Sequence, residues 1–451
     1  MQEKQRYLFE SESTGKAIAT MAVPAMATML VMILYNMADM FFVGQLGDNA
    51  QVAAVSLVGP VFNIMMAIGS MLGGGGCALI AKTLGEQDAA NVRLYSSLCA
   101  WSSVVLGGAF GAGLLLLCGP LLGLLGANAE IEPYARTYLS FLALGAPVMV
   151  FTAAMGNILR AEGAVKQSMV GNLLSTVTNM VLDPLFILVL PFGVAGAAVA
   201  TVLGNVVGAA YLIGYLRKYP TSLSLSYKDA LQNPVALLKI ISIGLPNLAS
   251  STLVGFANGF ANRLLVQYGT VAVAAMAAAG KSTMVISMLQ MGFTMGVQPL
   301  MGYSYGARNL PRLKKIITQT ALLTIGMGTA LSVSCFFGSR VVVALFLKDA
   351  SALALGQQMI RLLVLSGPFL GLYYISSSFL QASGNAPTAT FTSLLRQGIF
   401  FVPLVFVMNA KFGVTGNICA NLTADILAAL VAGTLAVRQY QKLKNALVKQ
   451  V

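Results

Sequence analysis

The chain contains no histidine, a single tryptophan, and charged residues at only 9% of its 451 positions. Without imidazole, the side chain that ordinarily titrates nearest neutrality is missing, so any proton relay has to run through carboxylates. So little charge cannot clothe a soluble protein of this length, since typical soluble domains carry roughly 25%. There is no phosphate-binding loop of Walker type, and so no sign of an ATP-driven pump; Gly73-Gly74-Gly75-Gly76 lies inside an apolar stretch and reads as close helix packing. No nucleophile–base arrangement or catalytic metal cluster is visible, so no enzyme is expected. The five cysteines (Cys77, Cys99, Cys118, Cys335, Cys419) lie in or at the ends of apolar segments. They read as buried packing residues, with no disulfide framework. The first sixteen residues are polar and of mixed charge, so no cleavable signal peptide is expected.

What is present is hydrophobicity, at 57% of residues. Apolar runs of about 20 residues recur along the whole chain, each long enough to cross a bilayer core. Backbone groups in lipid must be satisfied within the segment, which predicts helices, and the runs are continuous rather than alternating, which argues against a β-barrel. Spans are predicted near 17–43, 52–81, 94–118, 135–157, 167–190, 194–216, 240–267, 271–303, 314–338, 356–380, 388–409 and 413–437. The fold class is therefore an all-α polytopic membrane protein of twelve transmembrane helices.

The net charge of +13 sits in short loops and is no nucleic-acid footprint. With the N-terminus inside, nineteen Lys and Arg residues fall in inner segments and four (Arg136, Arg340, Lys348, Lys411) in outer ones. That bias places both termini in the cytoplasm of a cell inner or plasma membrane. Arg263, Lys281, Arg361 and Arg396 fall within helices. The longest polar segment, from Arg217 to Lys239, divides the chain near its middle. It suggests an N-lobe at 1–217, a cytoplasmic linker at 218–239 and a C-lobe at 240–451.

The two lobes resemble each other. Val23-Pro24-Ala25 to Gln45-Leu46-Gly47 matches Leu245-Pro246-Asn247 to Gln267-Tyr268-Gly269 at an offset of 222. Leu159-Arg160-Ala161-Glu162-Gly163 matches Leu380-Gln381-Ala382-Ser383-Gly384, and Gly193-Val194-Ala195-Gly196 matches Gly413-Val414-Thr415-Gly416. A six-span repeat inserts twice in the same orientation, so the lobes should be pseudo-symmetric about an axis along the membrane normal, with a cavity between them.

Charges within spans cost roughly 2.5–3.5 kcal/mol each on the mildest scale, so each needs a reason. Three acids qualify: Asp39, Asp183 and Asp425. Asp39 lies in the outer half of span 1; Asp183 lies ~10 Å before the outer end of span 5, and Thr201 at a similar ~12 Å in span 6. Asn179 is one turn from Asp183 on the same face. These four residues are expected to converge at one depth, where a carboxylate pair can hold a proton or bind Na+ through hard oxygens. The repeat puts Ala261 opposite Asp39, Leu404 or a neighbour opposite Asp183, and Asn421 opposite Thr201, so the set is expected in the first lobe only. Arg396 and Asp425, on adjacent spans, are expected to pair structurally. Pro24, and Pro246 at the matching place, can bend their helices. Tyr35, Asn36, Asn157 and Asn258 are polar positions in spans, expected to line a substrate cavity. Methionines 21, 26, 29, 32, 284, 288, 291 and 295 recur at helix-packing spacing and suit either packing or an adaptable cavity.

Pro24, the stretch Asp39-Met40-Phe41-Phe42-Val43-Gly44-Gln45-Leu46-Gly47, Leu159 to Gly163, Asn179-Met180-Val181-Leu182-Asp183-Pro184 and the two six-span halves together resemble the multidrug and toxic compound extrusion (MATE) family, over nearly the whole chain and most closely its DinF-like branch. The resemblance implies two six-helix lobes, alternating access, and exchange of drugs or organic cations for H+ or Na+ without a cofactor, by a monomer in the lipid bilayer. It also implies a first-lobe cation site at Asp39, Asn179, Asp183 and Thr201. The acids that other branches carry in the second lobe are missing. A flippase for lipid-linked precursors, from the same superfamily, is the alternative.

Overall fold

The computed structural model describes residues 3–45, 48–190, 192–344 and 350–448, and among these the chain is helical almost throughout. A short helix α1 (Glu3–Glu10) precedes α2 (Thr14–Gly44), α3 (Asn49–Gly85), α4 (Ala89–Leu116), α5 (Cys118–Leu124), α6 (Glu132–Ala161), α7 (Val165–Pro184) and α8 (Gly193–Lys218). After α9 (Tyr227–Leu231) come α10 (Leu237–Val266), α11 (Thr270–Gly306), α12 (Leu310–Phe337), α13 (Ser339–Ala344), α14 (Ala350–Leu363), α15 (Gly367–Ala382), α16 (Ala386–Leu394) and α17 (Val402–Val448). Eleven helical stretches among the described residues are long and apolar enough to cross a membrane. The last, Ala386–Val448, is two helices joined at Gly413, where the backbone leaves helical values (φ 60, ψ −138). Counted separately they give the twelve spans that hydropathy predicts.

The internal repeat is written into helix ends. α3 and α11 are 37 residues each and α4 and α12 are 28, and each of the second pair starts and stops 221 positions after its counterpart. The turns between them correspond too. Gln87 (φ 61) and Arg308 (φ 55) take left-handed backbone, and the next residue caps the following helix: Asp88 Oδ1 accepts from Asn91 N, and Asn309 Oδ1 from Arg312 N, both at 3.1 Å. α6 and α15 end alike. Gly163 (φ 85) and Gly384 (φ 79) donate back to Arg160 and Gln381 at 3.0 Å, and the residue after each donates to Leu159 and Leu380. This is the six-to-one, five-to-two pattern that glycine permits at a helix end.

Contacts group the chain into two compact units: Met1–Ser11 with Ala27–Leu248, and Glu12–Met26 with Ala249–Val451. The division falls within α2 and α10, two residues beyond Pro24 and Pro246, rather than at the linker. The linker itself belongs to unit 1.

In unit 1 the glycine run of α3 is used on every side. A Cβ on Gly73 would lie 2.8 Å from Asn157 Cβ and 2.9 Å from Ala154 on α6. One on Gly75 would run into Ile240 O of α10, and one on Gly76 into Cys99 of α4. Lipid tails are as apolar as the helices, so such close backbone packing is what holds spans together. In unit 2 a buried amide does similar work: Gln290 Nε2 on α11 donates to Thr324 O on α12 at 3.1 Å and to Gly367 O on α15 at 2.8 Å. All five cysteines are free; Cys77, Cys99 and Cys118 are buried, whereas Cys335 and Cys419 are only half-buried.

The segment between α8 and α10 is stapled down. Glu162, 1% exposed, accepts from Ser222 N at 2.7 Å and from the Thr221 hydroxyl. Ser224 N donates to Ser96 Oγ at 2.9 Å, Trp101 Nε1 to Leu225 O at 3.0 Å, and Ser97 Oγ to Ser226 O. Asp229 accepts from Ser224 Oγ at 2.5 Å and pairs with Arg93 at 3.4 Å.

Candidate functional site

Three of the four residues expected to form a cation site meet in unit 1. α7 presents Asn179 and Asp183 one turn apart, just before Pro184 and a π-helical turn, Leu185–Val189. Such wide turns carry one residue more than an α-turn and recur at functional sites. α8 can approach this face because it is lined with glycine: a Cβ on Gly204 would lie 2.6 Å from Ser175 O and 3.2 Å from Asn179 Cβ, and one on Gly196 would lie 2.8 Å from Phe186 Cβ. That approach brings Thr201 against Asn179.

The orientation of the Asn179 amide that satisfies both neighbours puts its nitrogen 2.9 Å from Asp183 Oδ2, with its oxygen accepting from Thr201 N at 3.0 Å and from the Thr201 hydroxyl at 3.2 Å. Thr201 Oγ1 also lies 3.0 Å from Ala197 O. Exposure is 3% for Asn179, 0% for Asp183 and 6% for Thr201. The cluster therefore offers two carboxylate oxygens, an amide oxygen and a hydroxyl, all on buried residues. Burial disfavours an ionised carboxylate unless a proton or cation compensates it, and hard oxygens are the donors a small alkali cation takes. Among the described residues no group of three or more His, Cys, Asp or Glu side chains could hold a metal ion, so a cation here would depend on the neutral oxygens of Asn179 and Thr201.

Asp39 lies on α2, but its side chain is outside the described residues. Pro24 is buried within α2, in the segment grouped with unit 2, and a Cβ on Gly296 of α11 would lie 2.7 Å from Met21 O and 3.0 Å from Ala25 Cβ. Of the residues expected to line a cavity, Tyr35 is half-buried, and Asn36 is exposed and donates to Met32 O at 2.8 Å. Asn258 is exposed, on the unit 2 part of α10. Asn157 is half-buried and turned to its own helix, donating to Ala153 O at 2.7 Å and accepting from Arg160. Arg396 and Asp425 pair at 2.7 Å in unit 2. Sequence reasoning gave no part to Glu162. The signal was its motif: the repeat puts Ser383 in its place, so the charge belongs to the first half alone.

The MatE family matches residues 24–185 and again 246–407, each match beginning at one of the two matched prolines. The multidrug export protein MepA of Staphylococcus aureus is 31% identical over 433 residues, covering 96% of this chain and 95% of its own. MepA of Staphylococcus saprophyticus is 29% identical over 432 residues, with the same coverage. Among solved structures, the outward-facing conformation of a multidrug resistance MATE family transporter of the MOP superfamily superposes with a TM-score of 0.90 at 25% identity, over 99% of each chain. With two family matches in register and a relative above 30% identity over almost its full length, this chain belongs to the MATE family of membrane transporters.

Proposed function

We propose that the chain is a secondary active multidrug antiporter that exports amphipathic organic cations in exchange for H+ or Na+ by alternating access. It works as a monomer in the plasma membrane with both termini cytoplasmic. The observation that carries this reading is the fully buried Asp183, which accepts from the Asn179 amide, itself held by Thr201 of the neighbouring membrane-spanning helix. This reading gives Asp39, on α2, the part of a second carboxylate in the coupling step. A proton or sodium ion taken up there favours one conformation over the other by the difference in its affinity for the two, and that difference is what couples ion entry to drug exit. The MepA relatives, multidrug export proteins by name, support the substrate class.

The test is ethidium efflux from cells lacking their own exporters. Wild type should clear the dye, and Asp183→Asn and Asp39→Asn should each retain it at equal membrane abundance. Collapse of wild-type efflux by a protonophore, or by sodium removal, names the ion. Undiminished efflux by well-expressed Asp183→Asn would remove the site from the mechanism.

A further inference from the structure

In unit 2, α12 and α15 touch backbone to backbone at one level and part at the next. A Cβ on Gly328 would lie 2.5 Å from Gly367 O, and one on Gly367 would lie 2.9 Å from Gly328 O. Just before Gly367 the chain passes through a single 3-10 turn, Val364–Ser366, which separates α14 from α15. Beside this turn a cavity of about 280 Å³ opens. Thr329 and Pro368, next to the two glycines in sequence, close one end of it; Val333, Phe336, Phe337 and Leu365 form its walls. From Thr329 to Phe337 the wall runs ~12 Å along α12.

The hydroxyls of this lining are already used. Ser332 Oγ donates to Val364 O at 2.5 Å, and Thr329 Oγ1 to Ile325 O at 2.8 Å. Val333, Phe337 and Leu365 are exposed, which on membrane-spanning helices means that the cavity opens to the hydrocarbon. A cation stands at its other end. The guanidinium carbon of Arg361, on α14, lies 5.4 Å from the ring centre of Phe336, and its Nε donates to Ser339 Oγ at 3.3 Å. Stacking on the ring holds the guanidinium plane beside the cavity, and the Ser339 contact occupies Nε alone. Arg340, next to Ser339, is exposed as well. Between Ala249 and Val451 the only acid among the described residues is Asp425, which is taken by Arg396.

We propose that this groove is a binding site for one anionic glycerophospholipid, with an acyl chain along α12 and the phosphate on Arg361. Position and charge agree. The apolar walls end at a guanidinium level with the end of α12, where a bilayer changes from hydrocarbon to headgroup. A guanidinium fork matches phosphate oxygens two at a time, and basic groups between spans hold lipid headgroups. An organic cation of the class proposed as cargo is repelled by the same residue, so the groove is no branch of the drug path. The orientation proposed above makes this the outer leaflet.

The test is native mass spectrometry of the full-length protein released from detergent. The probes are dioleoyl phosphatidylglycerol and diolein, which has the same chains and no phosphate. Wild type should retain one phosphatidylglycerol under activation that strips diolein. Arg361→Gln should weaken that retention about tenfold, the scale of one charge-assisted contact, and Arg361→Lys should keep part of it. Val333→Trp, which fills the groove and leaves Arg361 in place, should lose the lipid as well. Both positions are exposed, so the variants should melt where wild type does. Equal retention of the two probes by wild type overturns the proposal, as does undiminished retention by Arg361→Gln or by Val333→Trp. Dimer masses that Val333→Trp abolishes would overturn it too, by giving the groove to a second copy of the chain.

Discussion

Gly193 and Gly413, 220 residues apart, adopt the same left-handed backbone, with φ of 56° and 60°. Each stands at the corner where the fifth span of its unit turns into the sixth. Their surroundings differ. A Cβ on Gly193 would lie 2.5 Å from Gln51 Oε1, the atom that also accepts from Val194 N at the start of α8. A Cβ on Gly413 would meet only the Tyr268 ring, at 3.7 Å. Either change to alanine costs about 1 kcal/mol for the backbone conformation. Gly193→Ala should cost more, because it also displaces the Gln51 cap. Melting temperatures of the two purified variants check the order; equal losses would show that the Gln51 contact is unimportant.

The crossing of α3 and α10 in unit 1 is a backbone contact. A Cβ on Gly75 would overlap Ile240 O, and one on Gly244 would overlap Met71 O. Gly75→Ala and Gly244→Ala should each destabilise by about 1–3 kcal/mol, the usual cost of overpacking. Gly113 in α4 has nothing within 4 Å of its would-be Cβ. Gly113→Ala should leave stability unchanged or raise it by about 0.5–1 kcal/mol through the better helix propensity. Thermal melts of the three variants in one detergent make the comparison.

Thr201→Val keeps the shape of the side chain and removes the hydroxyl that meets the Asn179 oxygen at 3.2 Å. The variant should still transport, but with weakened affinity for the coupling ion: half-maximal efflux should need about tenfold more H+ or Na+, corresponding to loss of one good interaction of about 1.4 kcal/mol. Thr201→Ser should restore the wild-type value. Efflux measured across a range of pH and of sodium concentration checks both.

Glu162→Ala removes the acceptor for Ser222 N and the Thr221 hydroxyl. Hydrogen bonds to charged groups contribute about 1.5–3 kcal/mol, and the loss here is local. The expected result is faster tryptic cleavage at Lys228, with little change in the global melting temperature. Unchanged cleavage would mean that Ser96, Ser97 and Trp101 suffice to hold the linker.

Acid should loosen the start of α4 more than that of α12. The hydrogen bond from the Asn91 backbone amide holds the Asp88 carboxyl below its ordinary value, and the Asn91 side chain adds to this. A carboxyl depressed in the folded state stabilises above its unfolded pKa, about 3.9, and the stabilisation is lost as pH falls through the lower folded value. Asn309, which caps α12 with the same 3.1 Å geometry, has no charge to lose. Asp88→Asn should therefore remove the part of the acid sensitivity below about pH 4 that belongs to this cap. Hydrogen exchange at Asn91 and Val92 follows it directly.

Much of this architecture was legible in the sequence because lipid imposes simple constraints. A helix must be apolar for about 20 residues to cross, so hydropathy alone located the spans. A buried acid must have a partner, so Asp183 pointed to Asn179 and Thr201, and Arg396 pointed to Asp425. What escaped was set by packing. Nothing in the composition of α2 or α10 shows that each changes unit two residues past its proline, because the division depends on which neighbours each turn touches. The π-helical turns at 185–189 and 395–401 were also silent. They arise where one added residue swings a side chain onto a neighbouring helix, and hydropathy is blind to that shift. The linker read as a polar tether because serine and threonine suit loops; its anchoring comes from carbonyl and hydroxyl partners that composition does not distinguish from solvent.

Trp101, hydrogen-bonded to Leu225 O at 3.0 Å, is also the only tryptophan in the chain. Indole emission depends on the polarity and hydrogen bonding around the ring nitrogen. The protein thus carries a built-in optical probe at one defined place, the seam between α4 and the linker. Excitation at the red edge of tyrosine absorption isolates that single chromophore. A conformational step that lifts the linker will move its spectrum, and one that leaves the seam closed will not, with no label attached and no residue changed.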